Sequence, residues 1–340
     1  MSQSKAMILG CAGLSPTQEE LALYRDERPW GFILFARNLS EPEQIRDLVA
    51  SLKDSIGRPD APVLIDQEGG RVQRIRAPHV EAYPPAARLG EVYEADRGAG
   101  LRAAWLMSRL HAFDLLKFGI DVDCLPVLDV PVEGASDVIG SRAYGKNPAI
   151  VTEMGRSAAA GLKAGGVQPV MKHMPGHGRG MADSHHELPV VDADADALET
   201  DLAPFIKLSD APMAMTAHVV YPAWDREHCA SLSPTIIADI IRGRIGFDGL
   251  LMSDDLGMHA LTGDFGGRAA AVLKAGCDIA LHCSGDMAEM QAIAKAVGPI
   301  EAPAQSRLAR AMATIEGRTG ADDVTQLIAK RDALMAVLPV

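Results

Sequence analysis

Leu250-Leu251-Met252-Ser253-Asp254 is apolar on three consecutive positions and closes on a carboxylate. Consecutive rather than alternate apolar residues mark a strand covered on both faces, as in a parallel sheet flanked by helices. Seven further runs lie along the chain, bounded by Gly, Pro or charge: Ala6 to Gly13, Trp30 to Phe35, Pro62 to Asp66, Ile120 to Val130, Val167 to His173, Pro212 to Val220 and Asp278 to His282. Between them lie segments with helical periodicity or helix starts. Ser40-Glu-Pro-Glu43 predicts a capping box with Pro in the first turn, and Ser233-Pro-Thr opens another helix in the same way. Leu106, Leu110, Phe113 and Leu116 share one face of a helix that Gly119 ends. Eight strand–helix units predict a single-domain (β/α)8 TIM barrel, which needs about 250 residues. Residues 1–300 are assigned to the catalytic barrel and 301–340 to a C-terminal helical extension packed on it. The rival, an open doubly wound sheet, lacks a GxGxxG after an early strand. No repeat or low-complexity linker interrupts the pattern.

Composition narrows the function classes. Of 340 residues, 48% are apolar and 23% charged, enough to build a core without help. With 33 basic and 45 acidic side chains the net charge is −12, so the surface repels nucleic-acid backbones and anionic membranes. Aromatic residues, at 4%, are too few for a base-stacking platform. Five cysteines, Cys11, Cys124, Cys229, Cys277 and Cys283, are widely spaced without a CxxC pair and predict reduced thiols in a cytosol-like compartment. No stretch of 18 apolar residues predicts a membrane span. Lys5 and the run Ala6 to Gly13 imitate a signal peptide only faintly, so a cytoplasmic protein is expected.

In such barrels the active site is built from the loops that follow the strands. Polar residues gather there. The third run leads into Asp66-Gln-Glu-Gly-Gly-Arg71 and Arg74, and the long loop after the fourth holds Ser141-Arg142. The fifth leads into Lys172-His-Met-Pro-Gly-His-Gly178 and Asp183-Ser-His-His186; the sixth ends at His218, the seventh at Asp254-Asp255 and the eighth at His282. Four of ten histidines, His173, His177, His185 and His186, fall within 14 residues, a density suited to a functional loop but also to a solvated polar one. A carboxylate such as Asp254 can attack an electrophilic carbon, and a histidine titrating near pH 6.5 can protonate the leaving oxygen. Asp183 and His185, two apart, could form an oriented acid/base dyad. Asp66, Arg74, Arg142, Lys172 and His173 offer a charge-rich set suited to a hydroxylated, partly acylated sugar. Neighbouring strand residues face opposite ways, so only one of Asp254 and Asp255 meets the barrel mouth; periodicity alone does not choose between them. The other is expected to cap or pair with a nearby loop, and Asp255 is assigned that part.

These residues carry a resemblance. Gly31-Phe-Ile-Leu-Phe-Ala-Arg-Asn38, Ile65-Asp-Gln-Glu-Gly-Gly-Arg-Val-Gln73, Ala217-His-Val-Val-Tyr-Pro222, Ala230-Ser-Leu-Ser-Pro234 and Gly246-Phe-Asp-Gly-Leu-Leu-Met-Ser-Asp-Asp-Leu256 resemble the single-domain, NagZ-type β-N-acetylglucosaminidases of glycoside hydrolase family 3. The segment Lys172 to His185 is the most discriminating match, with Met174 where the family commonly has Phe. The likeness covers roughly residues 6 to 300. It implies a retaining exo-enzyme that removes terminal N-acetylglucosamine from cell-wall fragments. The typical substrate is the disaccharide with anhydro-N-acetylmuramic acid, with or without peptide, in cytoplasmic peptidoglycan recycling. By the same resemblance Asp254 is the nucleophile, His185 the acid/base and Asp183 its orienting partner, while Asp66, Arg74, Arg142, Lys172 and His173 hold the sugar. A monomer without cofactor or metal is expected, with a small-molecule sugar as its partner.

Three alternatives carry different chemistry. A neutral histidine base beside an anionic nucleophile repels an incoming anion less than a carboxylate would, so phosphate could replace water and make the enzyme an N-acetylglucosaminide phosphorylase. A metal-dependent hydrolase is disfavoured by the lack of a compact HExxH-type ligand set. A non-catalytic sugar binder on the same scaffold is disfavoured by the presence of Asp254, Asp183 and His185 together.

Overall fold

The computed structural model describes residues 3–182, 188–313 and 323–336. Eight parallel strands close a barrel in chain order: β1 (Lys5–Leu9), β2 (Pro29–Leu34), β3 (Val63–Ile65), β4 (Val122–Asp123), β5 (Gln168–Met174), β6 (Met213–Thr216), β7 (Leu250–Asp255) and β8 (Ile279–His282). Pairing of Leu9 with His282 closes the ring, and Phe32, Ile33 and Leu34 pair with Val63, Leu64 and Ile65. Consecutive apolarity has the expected cause: Leu250, Leu251, Met252 and Ser253 are all fully buried between barrel interior and helices.

The outer layer comprises α1 (Gln18–Glu27), α2 (Pro42–Ser55), α3 (Ala86–Ala95), α4 (Arg97–Leu116), α5 (Pro148–Ala164), α6 (Ala195–Lys207), a π-helical stretch (Ile236–Arg244), α7 (Phe265–Ala275) and α8 (Met287–Ala296). Then follow α9 (Ala302–Ala313) and α10 (Val324–Met335), the latter against α4 and α3. Among the described residues no helix is long and apolar enough to cross a membrane. All five cysteines are free and buried.

Three local expectations are corrected. The run Ile120 to Val130 makes only a two-residue strand. Leu125 N–H turns back to Asp123 O (2.8 Å) and Pro126 has no N–H, so these two residues bond β5 only through their carbonyls, which accept from Val170 and Lys172 N–H (3.0 Å each), until Leu128 N–H donates to Lys172 O (2.7 Å). Ser40 does not cap α2. The cap is Glu41, without a side-chain bond, and Gln44 instead reaches back to accept from Ser40 N–H at 2.9 Å. On α4 the buried surface is not one stripe. Met107, His111 and Asp114 are buried as well as Leu106 and Leu110, while Phe113 and Leu116 are only partly so, because α3, α5 and α10 surround this helix.

Candidate active site

The chain leaving β3 folds at once into a hairpin, Gln67–Gly69 against Val72–Gln73. Its turn needs the two glycines. Gly69 and Gly70 have φ of +97° and +58°, and a Cβ on Gly69 would lie 2.4 Å from Pro84 O. Buried Gln67 ties the hairpin shut: its Oε1 accepts from the N–H groups of Arg74 (3.0 Å) and Ile75 (3.1 Å), and its amide donates to Ile75 O (2.9 Å). Asp66 and Glu68 flank Gln67 on the alternate face, and both meet the end of β5. There the Lys172 ammonium, 2% exposed, lies 2.8 Å from Asp66 Oδ1 and 2.7 Å from Glu68 Oε1. Arg74 donates to Asp66 Oδ2 at 3.0 Å, and Arg142 grips Glu68 with two bonds of 2.8 Å.

The ionisation of this cluster follows from that geometry. Burial pushes the Asp66 and Glu68 carboxyls up, but the surrounding cations outweigh it. Lys172 and Arg74 hold Asp66 well below the carboxylate range, and Arg142 and Lys172 lower Glu68 to about 2. Burial likewise opposes the Lys172 charge, and Asp66 and Glu68 overcome it, so its pKa is raised. The cluster is fully charged at neutral pH, and its members fix one another.

His173 follows Lys172 on β5. Its Nδ1–H donates to Asp129 Oδ2 at 2.7 Å, which leaves Nε2 as the nitrogen to meet a ligand. Asp129 also accepts from His177 N–H at 2.7 Å, so one buried carboxylate braces both histidines. Burial would raise Asp129, yet His173 and His177 hold it below its ordinary value.

At the end of β7 both aspartates line the cavity, against the expectation that only one meets the barrel mouth, because the strand end bends there; Asp255 nevertheless takes the loop-pairing part assigned to it. Asp255 Oδ1 accepts from the N–H groups of Gly257 (2.9 Å) and Cys283 (3.1 Å) and so pins its own loop to the chain after β8. Among the described residues Asp254 Oδ1 accepts only from Asp255 N–H (2.8 Å), and Asp254 forms no ion pair. Burial pushes the Asp254 carboxyl up; the imidazoles of His218 and His173, the Asp255 N–H and the Lys172 charge outweigh it and keep the group ionised. His218, fully buried, holds the strand end from behind by donating from Nε2 to Asp255 O at 3.0 Å while its Nδ1 meets Ser231 Oγ at 2.8 Å.

Six of the eight residues singled out from sequence, Asp66, Arg74, Arg142, Lys172, His173 and Asp254, line one cavity of about 240 Å³ at the carboxyl ends of the strands. That is below the roughly 300–1,000 Å³ of sites for drug-sized ligands and suits one sugar ring. Phe35, His177, Asp255 and Met258 complete much of its wall. Asp183 and His185 lie outside the described residues. Of the described residues nearest them, His177 lines the cavity and Val190 bridges Val220 in the chain beyond β6. His218 and His282, which also end strands, are fully buried and do not line the cavity; His282 bonds Ser284 Oγ at 3.0 Å. No role is assigned to Glu68 or Asp129 from the sequence. Glu68 was detectable, because spacing of two from Asp66 puts both carboxylates on one face; Asp129 needed the irregular path after β4.

A pocket at this end of a (β/α)8 barrel is where enzymes of the fold work, and relatives narrow the class to hydrolases of glycosidic bonds. The family described as "Glycosyl hydrolase family 3 N terminal domain" matches residues 4–315. The "Beta-hexosaminidase" of Chromobacterium violaceum is 39% identical over 331 residues, spanning 96% of this chain and 90% of that protein. The structure of NagZ from Neisseria gonorrhoeae in complex with N-trifluoroacetyl-D-glucosamine superposes with a TM-score of 0.86 at 32% identity, covering 98% of each chain. A glycoside hydrolase family 3 β-N-acetylglucosaminidase from Paenibacillus sp. str. FPU-7 gives a TM-score of 0.79 at 30% identity, over 98% of this chain and 61% of that one. The chain belongs to glycoside hydrolase family 3, and within it is an enzyme of the β-hexosaminidase type.

Proposed function

We propose that this enzyme is a retaining exo-β-N-acetylglucosaminidase that works through a glycosyl-enzyme on Asp254. The observation that carries the reading is an ionised carboxylate with no cation paired to it among the described residues, opening on a cavity the size of one sugar. A nucleophile needs that state: a salt-bridged carboxylate has its lone pairs engaged, and a protonated one does not attack. The charged wall opposite supplies the hold on the sugar, with Asp66 as acceptor for hydroxyls and Arg74, Arg142, Lys172 and His173 as donors. The Neisseria gonorrhoeae relative, complexed with an N-acylated glucosamine, supports that choice of sugar.

In the first half-reaction a carboxylate oxygen of Asp254 bonds to the anomeric carbon as the bond to the aglycone oxygen breaks, and His185 gives that oxygen its proton. In the second, water bonds to the anomeric carbon, the Asp254 bond breaks, and the water's proton passes to His185. Asp183 orients the imidazole and supports its charge. Most retaining glycosidases place two carboxyls about 5–5.5 Å apart, so the histidine is an exception to that pattern. A terminal N-acetylglucosamine on a cell-wall fragment, recycled in the cytoplasm by a monomeric enzyme, is the physiological setting we assign. Residues 1–300 form the catalytic unit in this reading and 301–340 an extension of it.

The test is a leaving-group series. With aryl N-acetylglucosaminides, His185→Ala and Asp183→Ala are expected to lose little rate on the best leaving groups and about 10²–10⁴-fold on the poorest, where protonation matters. Equal losses across the series contradict the acid role. Sugar 1-phosphate formed when phosphate is added would reassign the second step to phosphorolysis.

A further inference from the structure

Helix α10 has two buried residues, Leu327 and Arg331. Leu327 joins the hydrophobic core, as expected of a docked helix. Arg331 is different, because a guanidinium 4% exposed must find partners. Its Nη1 and Nη2 lie 2.8 and 2.7 Å from the two carboxylate oxygens of Glu81, Asp332 Oδ1 accepts from its Nε at 2.9 Å, and its centre sits 5.7 Å from the Tyr83 ring.

Glu81 and Tyr83 are the splint of the hairpin after β3. The Gln73 side chain donates to Glu81 O (2.7 Å) and accepts from Tyr83 N–H (2.9 Å), while Gly70 N–H donates to Tyr83 O (2.8 Å). The segment thus holds both the turn and the second strand of the hairpin. Interior packing also adjoins the hairpin, although His111 and Asp123 Oδ2 make no hydrogen bond with each other. The Tyr83 ring meets His111 edge-on at 4.4 Å, His111 Nδ1 lies 3.8 Å from Asp123 Oδ2, and Asp123 Oδ1 accepts from Gln67 N–H at 3.0 Å. Gln67 stands between Asp66 and Glu68. The route from Arg331 through Glu81 and Tyr83 therefore ends on the hairpin that joins Asp66 to Arg74.

We propose that Arg331 is a positioning residue of the sugar site: through its pair with Glu81, helix α10 holds the hairpin that carries Asp66, Glu68 and Arg74 in binding geometry. The proposal rests on the reading that this hairpin grips the sugar. A structural role alone would lower thermal stability or the fraction of active enzyme, neither of which alters KM. A positioning role changes affinity in the folded population.

The experiment uses the full chain with Arg331→Gln, Glu81→Gln, the double variant and Asp66→Asn. Each is assayed well below its Tm for kcat and KM on an aryl N-acetylglucosaminide and for binding of N-acetylglucosamine by calorimetry. Arg331→Gln and Glu81→Gln are each expected to raise KM and the sugar Kd by roughly five-fold. The double variant is expected to be no worse than either, since both remove one contact. Glu81→Gln, at a half-exposed position, keeps the test open should Arg331→Gln fail to fold. Unchanged KM and Kd in Glu81→Gln, or additive losses in the double variant, overturn the proposal. If Asp66→Asn also leaves affinity unchanged, the reading of the hairpin itself falls; if Asp66→Asn weakens binding and the Arg331 and Glu81 variants do not, only the link to α10 falls.

Discussion

Asp254→Ala is expected to lower kcat by about 10⁴- to 10⁶-fold while binding of N-acetylglucosamine stays within a few-fold of the parent. The asymmetry follows from geometry. The sugar is held by the charged wall built from Asp66, Arg74, Arg142, Lys172 and His173, whereas Asp254 forms no ion pair among the described residues and its removal leaves that wall intact. Asp255→Asn is the matched control. Its side chain accepts two backbone N–H bonds that an amide oxygen can still accept, so it should retain far more turnover than Asp254→Asn. Steady-state kinetics on an aryl substrate, with calorimetry for sugar binding, measure both quantities. Comparable losses in the two variants would contradict the division of labour between the adjacent aspartates.

The second large effect is on Lys172. Lys172→Met keeps the length of the side chain but leaves Asp66 and Glu68 buried beside each other without the ammonium between them. Removing one member of a buried ion network costs about 3–5 kcal/mol, far above the worth of a surface pair. Urea unfolding should show that deficit, and sugar affinity should fall with it. Its pH dependence has a definite sign. In the parent, the Glu68 carboxyl is lowered from 4.5 to about 2, so its stabilising contribution is complete above the unfolded value and is lost as pH falls through the folded one. The variant relaxes that depression. The gap between parent and Lys172→Met is therefore largest above 4.5 and narrows as pH drops toward about 2. A gap independent of pH would mean that Lys172 acts through packing rather than charge.

The barrel was readable because each strand is covered on both faces, which writes burial into consecutive residues such as Leu250-Leu-Met252. Two runs misled on length: Pro212 to Val220 gave only Met213–Thr216 in the barrel, and Ile120 to Val130 gave two residues, since apolarity reports burial while strand pairing also needs N–H groups that Pro126 lacks and Leu125 spends on Asp123. Strand ends map to the barrel mouth, so Asp66, Lys172, His173 and Asp254 could be brought together without coordinates. The links among them could not. Spacing of two places Glu68 beside Asp66, but its partner Arg142, 74 residues away, has no local signal. Arg331 and Glu81, 250 residues apart, share no local pattern at all. Long-range ion pairs of this kind depend on the packing of α10 over α3 and α4, which periodicity does not encode.

The covalent step is tested most directly by peptide mapping of enzyme quenched in acid during turnover of an N-acetylglucosaminide whose leaving group makes hydrolysis of the glycosyl-enzyme rate-limiting. A single N-acetylglucosaminyl adduct on the peptide containing Asp254, localised to that side chain and absent from Asp254→Ala, is the predicted result. An adduct on Asp255 or on any other side chain would contradict it.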